Sequence, residues 1–305
     1  MSTRGTSRRH WPRANCEHSP RGRAAGSVRV GVFTKIHHVA VVVRSADEAL
    51  GIYRDALGLP VTKDAVIEDQ GVRGVLLQAG VGEIELIQPV RDDTGVARFL
   101  AGRGEGLHHL CLESTDVAAD LRAAKEKGLA LIDETPRRGL AGMIGFLHPR
   151  ATRGVLVEYA TPLEHATPPA TDGLVRNLDH VAVAVSDLDA GVRTWQENFG
   201  LPIGRVGEVP ALGIRQAILP LGSAFVELIS PLRDEGPVAN FLKERGEGMY
   251  LVSLEVSDVD AAVATLRGRG LRVGDPTGGS GDARLAFISP RSTHGVTIQL
   301  IERRG

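Results

Sequence analysis

From Ile36 onward, short apolar runs alternate with polar, glycine- and proline-marked turns in a recurring order: strand, helix, then three more strands. Ser45-Ala46-Asp47-Glu48 has the spacing of a capping box. After it, Ala49, Leu50, Tyr53 and Leu57 keep one helical face apolar until Gly58 supplies a stop, which predicts a helix of about three turns. Residues 186–200, with Val192, Trp195 and Phe199 on one face, predict a second such helix, and 116–128 and 258–270 predict two shorter ones. Between the helices of the first half, residues 73–78, 83–90, 131–134, 143–147 and 154–159 read as short strands. The pattern gives four βαβββ modules and an α+β fold.

The modules come as a duplicated pair. Asp179-His180-Val181-Ala182-Val183 repeats His37-His38-Val39-Ala40-Val41, and Phe225-Val226-Glu227-Leu228-Ile229 repeats Glu83-Ile84-Glu85-Leu86-Ile87, both at an offset of 142 residues. Gly104-Glu105-Gly106 returns as Gly246-Glu247-Gly248 at the same offset, and His148-Pro149-Arg150 returns as Ser289-Pro290-Arg291. The expected division is a domain at 34–162, a linker at 163–176 and a second domain at 177–305.

Four polar side chains interrupt the apolar strands of the first domain: His38, Glu85, His109 and Glu158. An unpaired histidine or carboxylate is costly to bury, so each needs a partner. Their order is His, Glu, His, Glu, with 71 residues between the histidines and 73 between the glutamates. Two equivalent modules that each gave one imidazole and one carboxylate to a shared metal would produce that order. Strand alternation places the neighbouring His108 on the opposite face from His109, so it is expected to support the ligands or the fold rather than to bind metal. In the second domain His180 and Glu227 are kept, but Leu251 stands where His109 stands and Gln299 where Glu158 stands. Leucine cannot ligate a metal and glutamine is a weaker donor, so a degenerate site of His180, Glu227 and Gln299 is expected, with Leu251 closing the cup.

Composition narrows the partners. A chain of 305 residues with a net charge of −1 and a pI near 6.8 gives no electrostatic reason for nucleic acid or a membrane surface. No apolar stretch reaches the length of a membrane span, and Cys16 and Cys111 cannot form a disulfide framework, so a soluble protein of the reducing cytoplasm is expected. Residues 1–33 carry seven arginines with a single acid, Glu17, and no apolar periodicity, which predicts a disordered, solvated arm.

Together, His38-Val39-Ala40-Val41, Tyr53-Arg54-Asp55-Ala56-Leu57-Gly58-Leu59, Gly104-Glu105-Gly106-Leu107-His108-His109 and Phe146-Leu147-His148-Pro149 followed by Gly154-Val155-Leu156-Val157-Glu158 form a specific set of motifs. Through them the chain resembles the vicinal oxygen chelate superfamily and, within it, the methylmalonyl-CoA epimerases. The resemblance spans residues 36–161 and, with a changed site, 178–303. It implies two curled, eight-stranded mixed sheets, one from each pair of modules, with His38, Glu85, His109 and Glu158 on the metal-ligand positions. It also implies one divalent metal ion (cobalt, nickel, manganese or zinc), an acyl-CoA substrate, and a covalent tandem in place of a homodimer, so that the chain is a pseudo-dimeric monomer or forms a homodimer. A glutamate that some epimerases use as an acid/base corresponds here to Gly74.

Removing a proton between a carboxylate and a thioester is uphill by roughly 20 kcal/mol against a carboxylate base, at about 1.4 kcal/mol per pKa unit. A metal that neutralises the developing enolate explains why such a site is wanted. On this reading Glu158 or Glu85 acts as one base, with Glu68 and His108 as candidates for the other. Glyoxalase I shares the ligand order, so a lyase is the main alternative. A non-catalytic binding protein of the bleomycin-resistance type is a further one. The dioxygenases of the superfamily need two histidines and one carboxylate on iron in the later half, where this chain has only His180, Glu227 and Gln299.

Overall fold

The computed structural model describes residues 33–163 and 173–303, so the predicted disordered arm and most of the predicted linker lie outside the described residues. Phe33, placed at the end of that arm, instead packs its ring 4.8 Å from Tyr159.

The first half forms β1 (Ile36–Val42), α1 (Ala46–Leu50), β2 (Val61–Ile67), β3 (Val72–Ala79), β4 (Gly82–Pro89), α2 (Gly95–Arg103), β5 (Gly106–Glu113), α3 (Val117–Glu126), β6 (Arg137–Gly139), β7 (Gly142–Leu147) and β8 (Leu156–Thr161). The second half repeats the order as β9 (Val175–Ala184), α4 (Leu188–Phe199), β10 (Arg205–Val209), β11 (Ile214–Leu221), β12 (Ala224–Pro231), α5 (Pro237–Arg245), β13 (Gly248–Val256), α6 (Val259–Gly268), β14 (Thr277–Gly278), β15 (Arg284–Ile288) and β16 (Ile298–Glu302). Each half curls one eight-stranded mixed sheet, ordered β2-β3-β4-β1-β5-β8-β7-β6 and β10-β11-β12-β9-β13-β16-β15-β14. At the centre of the first sheet β1 and β5 are antiparallel, and each is flanked by a parallel partner, β4 or β8.

The capping logic holds at atomic detail. The Ser45 side chain accepts from the Glu48 amide, and α1 then widens into a π-wound turn over Gly51–Ala56. Helix α4 starts on the Asp187 side chain and ends on a left-handed Gly200. Three details differ from the sequence pattern. Strand β2 has no counterpart among the strands read from sequence, because its residues are mostly exposed and carry no apolar alternation. Of the predicted strand 131–134, only Leu131 pairs, in an isolated bridge to Leu147, and the edge strand forms later, at β6. Helix α2 carries too little apolar patterning to be read from sequence: it buries no residue fully and is started by the Thr94 cap.

One continuous apolar core joins both halves. Across it the Tyr53 hydroxyl donates to the Thr293 carbonyl at 3.1 Å. The repeated Gly-Glu-Gly loops form a reciprocal seam. Glu105 accepts from the Arg44 amide of its own half and faces His294 of the other at 3.1 Å, while Glu247 accepts from the Ser186 amide and faces Arg153 at 3.7 Å. Among the described residues, Arg153 and His294 are the non-glycine positions with positive φ, at 56° and 53°. The glycine after each lies against the opposite loop: a Cβ on Gly154 would stand 1.9 Å from the Glu247 carbonyl oxygen, and one on Gly295 2.1 Å from that of Glu105. Both glycines have φ of +80°, so space and backbone demand the same residue.

Gly154→Ala is therefore expected to destabilise the chain by at least about 2 kcal/mol, through overpacking and left-handed strain together. Gly268→Ala, on a helix position with open space around it, should be neutral or slightly stabilising. Thermal unfolding of the two variants beside the wild type checks both; equal melting temperatures would show that the seam is not a close contact.

Candidate metal centre

The four polar residues singled out in the first half lie on four neighbouring strands: Glu85 on β4, His38 on β1, His109 on β5 and Glu158 on β8. Their register brings them to one level, Ala40 pairing with both Glu85 and His109, and Cys111 with both His38 and Glu158. All four are buried. The two Nε2 atoms are 3.1 Å apart. Glu85 Oε2 lies 3.2 Å from His38 Nε2 and 3.5 Å from His109 Nε2, and Glu158 Oε2 lies 3.4 Å and 2.7 Å from the same atoms. Two ligand bonds of about 2.1 Å enclose such separations at angles of about 80–115°, so the donor set fits one divalent ion.

The charges agree with that fit. Burial opposes ionisation of Glu85 and Glu158, yet the facing imidazoles hold both carboxyls well below the usual range. Burial likewise lowers the two imidazoles, but the facing carboxylates raise both above the ordinary value, His38 well above it. Two negative groups thus converge on a point where positive charge is stabilised.

A second pair of histidines orients the first. His37 Nδ1 is 3.0 Å from His38 Nδ1, and His108 Nδ1 is 2.9 Å from His109 Nδ1. Burial, with the neighbouring histidine and, for His37, Lys35 adding to it, drops His37 and His108 to about 3, so both are neutral. A neutral outer ring that accepts at Nδ1 takes the Nδ1–H of the inner ring, so that an ion displacing the inner ring's other proton would meet an Nε2 lone pair aimed at the centre. This arrangement corrects the alternation argument for His108. The register shifts between Ile36/His38 and between Ala40/Val41 insert His37 into β1 and His108 into β5 as bulges. As a result His108 sits on the cavity side with His109, and its ring packs edge-on against Phe99.

Above the quartet opens a cavity of about 910 Å³. Glu85 and Glu158 line it, as do His108, Arg98, Arg103 and Arg137 amid apolar walls that include Val72, Ile87, Leu140 and Phe146. Arg137, which the sequence reading passed over, stacks on Phe146 with its guanidinium 5.5 Å from the ring centre and has a buried Nη1 with no hydrogen-bond partner. Glu68 is not brought in: it is exposed in the β2–β3 turn, and its neighbours Asp69 and Gln70 line the cavity instead. At Gly74 the wall is closed by Leu140, whose Cδ2 would stand 2.6 Å from any Cβ there. Cys111 lies beneath the site near His37 and His38, and burial pushes its thiol up to about 12, so it stays protonated.

The second half builds a different site. Asp179 occupies the place of His37 and contacts His180 Nδ1 at 2.5 Å, while Arg303 donates to the same carboxylate at 2.6 and 2.7 Å. Burial opposes the charge, but Asp179 and Glu227 raise His180 to about 9. Glu227 lies 3.2 Å from His180 Nε2, and Gln216, at the position matching Gly74, donates to it at 2.6 Å. Leu251 is packed into an apolar cluster with Ala182, Val209, Ile214 and Ile229, and the Gln299 Oε1 atom is buried without a partner. Among the described residues, the groupings of three or more metal-ligating side chains both lie in the first half.

Comparison with known proteins agrees with this architecture. Residues 37–146 match the family profile of the Glyoxalase/Bleomycin resistance protein/Dioxygenase superfamily, and residues 178–305 match that of a Glyoxalase-like domain. The uncharacterised protein YqjC of Bacillus subtilis is 36% identical over 129 residues, covering 42% of this chain and 92% of that protein. The mitochondrial methylmalonyl-CoA epimerase of Mus musculus is 31% identical over 142 residues, 46% of this chain and 80% of the relative. A variant of 4-hydroxymandelate synthase from Streptomyces coelicolor superposes over 90% of this chain and 93% of its own with a TM-score of 0.69 at 21% identity, a likeness of fold alone. Among the described residues no helix is long and apolar enough to cross a membrane. With both halves matched and each curled into the same sheet, the chain belongs to the glyoxalase/bleomycin resistance/dioxygenase superfamily as a tandem of two domains.

Proposed function

We propose that the first half is a metal-dependent epimerase of an acyl-CoA of the methylmalonyl type, with His38, Glu85, His109 and Glu158 holding one divalent ion. One observation carries the reading. Of the four ligand candidates, the two carboxylates line the cavity, and they do so from opposite flanks of the histidine pair, on β4 and β8. A carbon acid held between them faces one carboxylate on each side, so a proton can leave to Glu158 on one face while a solvent proton, passed on by Glu85, reaches the carbon from the other, inverting the stereocentre. The bound ion would supply positive charge to the substrate oxygens as the C–H electron pair moves toward the thioester carbonyl. Arg137 offers a buried donor for the substrate carboxylate, and the apolar walls hold the acyl group away from water. His37 and His108 keep the ligating rings in the tautomer that binds metal.

Metal analysis of the purified chain should find one tightly held ion per polypeptide. His109→Ala should abolish it, and His180→Ala should leave it unchanged. His37→Ala should weaken metal affinity by about 10- to 100-fold, the usual effect of removing a group that orients a ligand. Two ions per chain, or one retained by His109→Ala, would overturn the assignment.

Deuterium exchange from solvent into methylmalonyl-CoA tests the chemistry. Glu158→Gln should slow exchange by at least about 100-fold, as expected for loss of a positioned base. Full exchange with full metal content in that variant would remove Glu158 from both roles. Turnover of the methylglyoxal–glutathione hemithioacetal in place of exchange would assign a lyase instead.

A further inference from the structure

A second cavity of about 630 Å³ follows the seam between the two halves and shares Phe99, Arg103, His108, Pro149 and Leu156 with the cavity above the quartet. It is lined from matching positions of the repeat, Phe99 with Phe241 and Arg103 with Arg245 at the same offset of 142 residues, with Arg291 added by the second half alone. The lining contains three arginines and one acid, Glu247, which is engaged by the Ser186 amide and hydroxyl and by Arg153. The guanidinium groups of Arg103, Arg245 and Arg291 are without an ion-pair partner among the described residues. Phe241 and Tyr250, packed edge to face at 5.2 Å, supply an aromatic floor.

A small branched acyl group fills only a fraction of the first cavity, so an adjoining second cavity with shared walls calls for a long substrate with a distinct far end. Free arginines match phosphate oxygens in geometry and charge, and an aromatic floor offers a stacking surface for a planar base. Resting on the function proposed above, we propose that the seam binds the phosphorylated nucleotide tail of the thioester substrate, clasped by Arg103 from the first half and by Arg245 and Arg291 from the second. The second half then takes part in substrate binding without a metal site of its own.

The test compares methylmalonyl-CoA with methylmalonyl-pantetheine, which has the same acyl thioester and no phosphate, on the full chain and on a double variant, Arg245→Glu with Arg291→Glu. In the double variant kcat/KM for the CoA ester should fall at least tenfold through KM, while that for the pantetheine ester stays within twofold; the corresponding double lysine variant should recover part of the loss. An equal change for both esters, or none for either, overturns the seam as the tail site while the epimerase reading stands. Should neither ester react, that reading fails, and calorimetry with 3′-phospho-ADP decides the seam separately. Binding that is weakened at least tenfold in the glutamate variant supports it, and binding that is absent or equal in both proteins overturns it.

Discussion

Everything in the first half is arranged around the cost of burying two carboxylates and two imidazoles within one small volume. Removing one partner from such a cluster leaves an uncompensated charge in an apolar cup, so the four must converge or none can be buried. Convergence is a property of the sheet. An antiparallel pair at its centre, each strand flanked by a parallel neighbour, puts equivalent positions of two modules side by side, and its curl brings their tips within 2.7–3.5 Å. The same curl leaves the cavity above them, lined by the carboxylates and walled by Val72, Ile87 and Leu140.

The two halves solve the same burial problem with different chemistry. In the first, neutral His37 and His108 face the rings of His38 and His109, and the centre is left with carboxylates that favour a cation. In the second, Asp179 and Glu227 keep His180 protonated and Arg303 adds another positive group, so the cup carries its own cations. Leu251 then removes the remaining ligand position by filling it with hydrocarbon. Both carboxylate–imidazole contacts look alike in a list of ion pairs. The residue before the histidine differs between them, a neutral His37 in the first half and an ionised, Arg303-paired Asp179 in the second.

Much of this was legible in the sequence because it rests on periodicity and on residues out of place. His38, Glu85, His109 and Glu158 stood out as polar interruptions of apolar strands, and the offset of 142 residues, falling to 141 by Pro290, exposed the duplication, the module count and the altered residues Leu251 and Gln299. What stayed hidden depends on register and on long-range contact. A bulge adds one residue without changing composition, so alternation sent His108 to the wrong face. Arg137 sits on a three-residue edge strand with no pattern of its own, and α2 is held by its cap and tertiary packing more than by any apolar stripe. Glu68 was attractive as a nearby acid, but turn geometry points Asp69 and Gln70 inward in its stead. The partners of the Gly-Glu-Gly loops are far away in sequence, and only the assembled seam explains why Gly154 and Gly295 must be glycine.

That seam has a consequence for how the protein behaves on dilution. Two separate subunits joined by such contacts would exist as a pair only above a threshold set by their dissociation constant. Here the same chain carries both, and a short tether holds them at an effective concentration on the order of millimolar whatever the amount of protein. Because the pairing within the chain cannot be lost to mass action and joins unlike halves, a substitution in one half appears only once in each pair of sheets. A leucine at position 251 could therefore be accommodated while every copy of the molecule keeps an intact His109.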